Sequence, residues 1–390
     1  MRKTTPTIKE IRVYRMPLPA KTLYNMSSSA VLTPESTIVA LIDSGGVVGY
    51  GESCMATPQA QKANNDSIRS SLSVLSPSVI GINPMELDLI NSTMENSLKG
   101  ETEAKAAIDI ACWDLIGKRL GKSVAELLGG SIADEVTTYH VIGITSPESA
   151  AAEAERLQLD GISRLQLKAG GRAVENDIEA IRAVSRVLKD GTVLDVDTNR
   201  GWKEDEAIKV STACSDVSMS MEQPCATEEE LYRLKSKIFH PLIVDESATD
   251  IKTISKMVSS DIADGFGLKI TRIGGLTPMK AVRDFCVETQ TPMSSDDAWG
   301  GDIIGAAGVA LGSTVPSSLN RGAWLANTYH QVHYDPINGP RIENGAIKLP
   351  KGGPGLGLVI DEGILSDRKE RYEQRGRKTE CVFVCTGRCG

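Results

Sequence analysis

Through the middle of the chain, short runs of alternating apolar residues, each closing on a polar or acidic residue, trade places with longer stretches in which apolar residues recur every three or four positions. Strict alternation marks strands and the wider spacing marks helices. From about residue 135 to 330 the strand-like runs are TTYHVIGI, SRLQLKA, TVLDVDTN, VSMSMEQP, PLIVDES, GFGLKIT and TPMSSDD, with GAWLANTY as a last element of open type. This unbroken rhythm predicts an α/β fold, a closed (β/α) barrel of seven or eight units. An open doubly wound sheet is disfavoured, since no glycine fingerprint for a dinucleotide follows the first strand.

The flanking regions read differently. Residues 8 to 16 (IKEIRVYRM) and 37 to 43 (TIVALID) alternate, and Gly45-Gly46 followed by VVGYGES predicts a hairpin. From 67 to 127 the spacing turns helical, notably in AKAAIDIACWDLIGKRLG, and Gly129-Gly130 ends it. The division that follows is an α+β capping domain over 1–130, the barrel over 131–330, a C-terminal return to the cap over 331–375 and a cysteine-containing tail over 376–390.

Composition narrows the class. A hydrophobic content of 41% with 24% charged residues is that of an ordinary globular protein. With 43 basic against 51 acidic residues and no basic stripe, nucleic acid is not an expected partner. The N-terminal MRKTTPTIKEIRVYRM lacks the apolar stretch of a signal peptide and no window has the length of a membrane span, so a cytoplasmic protein is expected. Cys54, Cys112, Cys214, Cys225 and Cys286 are scattered and read as reduced thiols. Cys381, Cys385 and Cys389 recur every four residues, but three thiols make an incomplete zinc site, and an unstructured extension is expected. His330 and His333 have no third partner at metal-binding spacing.

The chemistry lies at the strand ends. Asp197, Glu222 and Asp245 each close a strand-like run, 25 and 23 residues apart, which brings all three to the C-terminal mouth of the barrel. Three carboxylates form a site for a hard dication, Mg2+, with Glu246 as the substitute should Asp245 not serve. Alternation places Gln166 with Lys168 on one face, Asp195 with Asp197 and Asn199 on another, and Lys269 with Gly265 and Gly267 on a third. Lys168 and Lys269 would then stand across the ring from each other. A small carboxylate held between two amines and a dication suits removal of its α-proton, with the metal stabilising the enediolate. Free lysine titrates near ~10.4, so a lysine base has to be brought down by several units. Return of the proton from the opposite face is epimerisation, and loss of a β-substituent is elimination. A non-catalytic metal-binding protein is the alternative of another class, and it has no need of two opposed amines.

These residues resemble the enolase superfamily, in its muconate-lactonizing and racemase branch, from AAIDIACWDLIGK to PGLGLVID. The resemblance implies Asp197, Glu222 and Asp245 as Mg2+ ligands, Lys168 and Lys269 as paired acid/base groups, and a homo-oligomer. RLQLKAGGR, LDVDTNRGW, MEQPC, GFGLKITRIGGL and DDAWGGD are most similar to the members that epimerise hydroxyproline betaine or dehydrate cis-3-hydroxy-L-proline. By that similarity Asp296 faces a cationic substrate nitrogen and Trp324 lies over it, an indole face being attractive to such a charge. Asn199 and Tyr24 complete the substrate-binding set. Two departures stand out. Gln166 replaces the first lysine of a Lys-x-Lys pair, leaving Asp195 to favour the charged lysine, and Ala60 replaces an aromatic wall that Tyr24 would partly restore. The implied function is epimerisation of a proline betaine or related cyclic amino acid derivative. The alternative is dehydration of cis-3-hydroxy-L-proline; dipeptide epimerisation and cycloisomerisation rank lower.

Overall fold

The computed structural model describes residues 5–21, 24–25, 30–31, 33–55, 64–297, 299–360, 363, 365 and 380–386. Six parallel strands, His140–Ile142, Arg164–Lys168, Val193–Asp197, Ser220–Glu222, Leu242–Val244 and Gly265–Phe266, lie side by side in chain order. Single parallel bridges from Phe266 to Met293, Met293 to Asn320 and Thr138 to Ala323 add a seventh and an eighth run and bring the eighth back to the first. The ring is a closed barrel. Helices 147–159, 174–185, 204–213, 228–235, 251–259, 276–288 and 302–312 separate successive strands. Their starts are written locally: Ser146 before Pro147, the Thr227–Glu230 capping box and Asp250 each accept a backbone N–H of the first turn. After the eighth run, GAWLANTY gives a 3-10 turn, Ala326–Tyr329, in place of a helix.

The cap is an antiparallel sheet of Glu380–Thr386, Ile8–Pro17, Glu35–Asp43 and Val48–Cys54, in that order, backed by helices 65–79, 87–97 and 102–120. Helix 102–120 sits unusually close to the sheet. A Cβ at Gly49 would lie 2.1 Å from the Ala111 carbonyl oxygen, and one at Gly51 would lie 1.9 Å from that of Ala107. Those two glycines face the alanine stripe of the helix, so backbone meets backbone. The hairpin at Gly45-Gly46 is pinned by Asp43, whose Oδ1 accepts from Gly45 N at 2.9 Å and Val47 N at 3.0 Å.

The tail departs from expectation, because Glu380–Thr386 forms the outer strand of this sheet, antiparallel to Ile8–Pro17. ECVFVCT alternates, Phe383 packs on the cap core, and the strand satisfies an edge that would otherwise be bare. Four residues along a strand span ~13 Å, so the backbones of Cys381 and Cys385 are too far apart to serve one ion. Cys389 lies outside the described residues. Among the described residues no helix is long and apolar enough to cross a membrane.

Cap and barrel are joined by buried polar groups. Asp109 accepts from Thr277 N at 2.9 Å, and the Trp113 indole N–H donates to Thr277 Oγ1 at 2.9 Å. Asp114 accepts from Tyr50 N and from Leu356 N, tying the C-terminal return to the cap. His330, bridged to Ala20 of the cap, uses Nε2–H toward the carbonyls of Trp299 (3.3 Å) and Gly300 (3.2 Å), and its buried Nδ1 has no partner among the described residues. Burial therefore brings its pKa from 6.5 down to about 4. The neutral ring stabilises the fold above pH 6.5, and that contribution is lost as pH falls toward 4. His330→Gln, which keeps a donor and cannot titrate, should flatten the acid loss of stability between pH 7 and 4.5 by roughly 2 kcal/mol in denaturant unfolding. Identical pH slopes in the two proteins would remove His330 as the cause.

Candidate active site

Sheet register sets the site. Lys168, Asp197 and Glu222 are lateral neighbours at the ends of the second, third and fourth strands. Asp245 follows the fifth strand directly, Lys269 lies just past the sixth, and Asp296 of the seventh is bridged to Lys269. All of them except the partly covered Lys269 are buried.

Each carboxylate is held. Asp197 Oδ2 accepts from the Lys168 ammonium and from Asn199 Nδ2 at 3.0 Å, while Oδ1 accepts from Asn199 N at 2.8 Å. Glu222 Oε2 accepts from Gln166 Nε2 at 2.9 Å. Asp245 takes Lys269 Nζ at 2.8 and 2.6 Å, and Arg272 Nη2 at 2.6 Å. Asn199 also reaches Glu246 at 3.1 Å, so Glu246 joins the acidic cluster without replacing Asp245. The backbone turns left-handed just after two of the carboxylates, at Asn199 (φ 48°) and Gln223 (φ 38°). From that strained turn Gln223 Oε1 accepts the backbone N–H groups of Asp245 and Ser247, locking the fourth strand end to the fifth. Gly267 supplies clearance: a Cβ there would stand 3.1 Å from Glu222 Oε1 and 3.4 Å from Asp245 Cβ.

The electrostatics follow from this crowding. Burial, with Asp197 and Asp245 alongside, pushes the Glu222 carboxyl well above the usual range. Burial and the same two neighbours bring Glu246 up to about 7. Asp245 goes the other way, since Arg272 and Lys269 outweigh its burial and hold it below the usual carboxylate range. For Lys168 burial opposes the charge, yet Asp197 and Glu222 outweigh it and keep the ammonium above the ordinary lysine value.

Asp195 is not among the groups that bear most on Lys168. Its carboxylate is taken by Arg164 Nε at 2.5 Å, Arg321 Nη2 at 2.8 Å and the Ser220 hydroxyl. Against its burial the two guanidinium groups bring it down to about 2. Arg164 in turn stacks 4.1 Å from the Tyr139 ring centroid. This ionic tier lies one alternation below the acidic cluster and still reaches it, since Asp195 helps to raise the Glu222 carboxyl.

On the other side of the mouth, Asp296 Oδ2 accepts from Ser294 Oγ at 2.6 Å and Oδ1 from Trp324 N at 2.8 Å. Burial raises its pKa, with Lys269 pulling the other way. The Trp324 ring is buried among Trp299, Tyr329 and Cys54, edge-on to Trp299 with centroids 5.2 Å apart. Trp324 is tied to the site by its backbone N–H on Asp296. Tyr24 lies in a two-residue strand, Tyr24–Asn25, and its side chain, like Ala60, is outside the described residues.

Arg272 and Trp299 were not singled out in the sequence. Arg272 had a usable signal, being one turn after Lys269 in GLKITRIGG.

Asp197, Glu222 and Asp245 fit a dication by chemistry: three hard oxygen donors on adjacent strands, with like charges close enough to perturb one another. Among the described residues no three His, Cys, Asp or Glu side chains form a ready-made cage. Lys168, Lys269, Arg272 and Asn199 hold the oxygens instead.

Comparison with known proteins agrees with this architecture. Residues 9–129 match the mandelate racemase / muconate lactonizing enzyme N-terminal domain, and residues 149–364 match the enolase C-terminal domain-like family. A cis-3-hydroxy-L-proline dehydratase of Roseibium aggregatum is 36% identical over 94% of this chain and 99% of its own length. An N-succinyl-L-Arg/Lys racemase of Bacillus cereus is 29% identical over 92% of this chain and 97% of its own. Among solved structures, an enolase superfamily member from Roseovarius nubinhibens complexed with magnesium aligns with a TM-score of 0.88 at 27% identity, covering 98% of this chain and 100% of that one. With both domains matched and the strand-end acids and lysines on one barrel mouth, the chain belongs to the enolase superfamily, in its mandelate racemase / muconate lactonizing enzyme branch.

Proposed function

We propose that this enzyme removes the α-proton of a proline-class amino acid or betaine carboxylate, and that its principal outcome is epimerisation at that carbon. One observation carries the reading: Lys168 and Lys269 stand on the second and sixth of eight barrel strands, each ion-paired to a different carboxylate of one buried cluster. Two amines on opposite sides of the mouth allow a proton to leave from one face and return to the other. Mg2+ is the cofactor to which the acids are suited; Asp197, Glu222 and Asp245 would hold it, and once bound it offsets the negative charge that develops on the substrate carboxylate. Lys168 and Lys269 are then the groups that carry the proton. Released from Asp197, the Lys168 amine loses the charge that favours its protonated form. Asp296 offers a buried carboxylate to the substrate nitrogen, and Gln166, a neutral donor, orients Glu222 without adding charge to the cluster.

Dehydration is the second reading, favoured by the 36% identity to the cis-3-hydroxy-L-proline dehydratase. It shares the first step and differs in the fate of the β-substituent. In deuterated water, inversion with α-deuteration of a proline betaine supports epimerisation, and loss of hydroxyl from cis-3-hydroxy-L-proline supports elimination.

Asp245→Asn should lose Mg2+ binding and roughly 100-fold or more in turnover together, since a charged oxygen disappears from the strand end. Calorimetric Mg2+ affinity and turnover equal to those of the parent would take Asp245 out of the site.

The lysines make separable claims. Lys168→Ala and Lys269→Ala should each abolish net epimerisation while still exchanging the α-proton of one enantiomer with solvent, with opposite preferences, as followed by NMR. If both variants bind Mg2+ yet lose exchange for both enantiomers alike, the two-base reading fails.

A further inference from the structure

Glu52, near the end of the cap strand Val48–Cys54, is a fully buried carboxylate outside the acidic cluster. Its Oε1 accepts from Ser36 Oγ at 2.6 Å, Gly301 N at 2.7 Å and Tyr334 OH at 2.7 Å, and Oε2 accepts from Ile304 N at 3.0 Å. Ser36 belongs to the cap. The other three donors belong to the barrel's seventh loop, its following helix and the C-terminal return, so one side chain spans the domain boundary. It also supplies acceptors to the first turn of helix 302–312, whose N–H groups have no partner within the helix.

The loop it grips is tightly specified. A Cβ at Gly300 would lie 2.2 Å from Ile304 Cγ2 and 3.3 Å from the Glu52 carboxylate, and one at Gly301 would lie 2.5 Å from the Tyr334 ring. Trp299, just before them, has φ 81°, a left-handed backbone that costs a non-glycine residue ~1–3 kcal/mol and persists only when its surroundings enforce it. Those surroundings are the Trp299 N–H on Asp297 Oδ1 at 2.9 Å and His330 on the Trp299 and Gly300 carbonyls. The indole held this way lies edge-on to Trp324, whose backbone N–H is bound to Asp296, the strand-end neighbour of Lys269. Cys54, two residues past Glu52, packs in the same aromatic cluster.

We propose that Glu52 is a positioning residue through which the cap sets the Trp299–Trp324 wall of the active site, and that Trp299 determines specificity toward the nitrogen-bearing side of the substrate. The substrate half rests on the α-proton chemistry proposed above; the placement of the indole does not.

Glu52→Gln puts an amide N–H where the carboxylate received Gly301 or Ile304, so the loop must shift. The full-length variant should bind Mg2+ within about twofold of the parent, show a changed near-UV tryptophan spectrum and greater acrylamide quenching, and have KM raised roughly tenfold with kcat within about threefold. Tyr334→Phe, which removes a single donor, should shift the spectrum and KM the same way by less. Trp299→Phe should reproduce the KM change, and Glu52→Gln added to it should move the spectrum little. If Glu52→Gln only lowers the melting temperature, leaving KM and the tryptophan signals at parental values, Glu52 is structural and the proposal fails. Should the parent turn over no proline-class substrate, the α-proton reading fails, and the spectra and quenching still decide the positioning of Trp299.

Discussion

Four buried carboxylates, Asp197, Glu222, Asp245 and Glu246, converge at one mouth of the barrel, and the surrounding structure is organised by the need to offset that charge. Burying an ionised carboxylate is costly unless cations or donors meet it, and removing a partner from such a set leaves a charge uncompensated. Lys168, Lys269 and Arg272 bring positive charge, and Asn199, Gln166 and the backbone turns bring oriented N–H groups. The members of this set come from five consecutive strand ends, so the parallel order of the strands brings them together. Glycine at 267 follows from the same constraint, since any side chain there would press on Glu222.

The tier beneath explains how so much charge coexists. Asp195 shares a face with Asp197, and unpaired it would add a further carboxylate to the cluster. Arg164 and Arg321 absorb it, and the Tyr139 ring covers Arg164. Its charge is thereby largely offset, though it still helps to raise Glu222, and the carboxylates that bear most on Lys168 are Asp197 and Glu222. Replacement of a Lys-x-Lys pair by Gln166-x-Lys168 fits this arrangement. A second ammonium at 166 would stand beside Glu222, whereas an amide donates to it and leaves the net charge unchanged.

What the sequence disclosed, and what it hid, divides along range of interaction. Alternation and strand-end acids are local, so the barrel, the cap and the rows containing Lys168, Asp197 and Glu222 could be read from the residues alone. The seventh and eighth runs were harder, because TPMSSDD is polar and each joins the ring through single bridges. Arg272 hides in a short helical turn, and its partner Asp245 is on another strand. Glu52 finds Gly301 about 250 positions away, a pairing no periodicity encodes. The tail was misread for a different reason: its cysteine spacing drew attention from the alternation in ECVFVCT, which the edge of the cap sheet uses.

The division of labour between the two domains follows from which groups are interchangeable. In the proposed mechanism proton transfer depends on Lys168 and Lys269, which the order of the barrel strands sets on opposite sides of the mouth. The proposed selectivity depends on how Trp299 is held, and its loop is gripped from the cap side by Glu52 and by His330, which is bridged to Ala20. Asp109 and Trp113 fasten the cap at Thr277, just after the 270–273 turn that carries Arg272, so the docked cap also backs the side chain that holds Asp245.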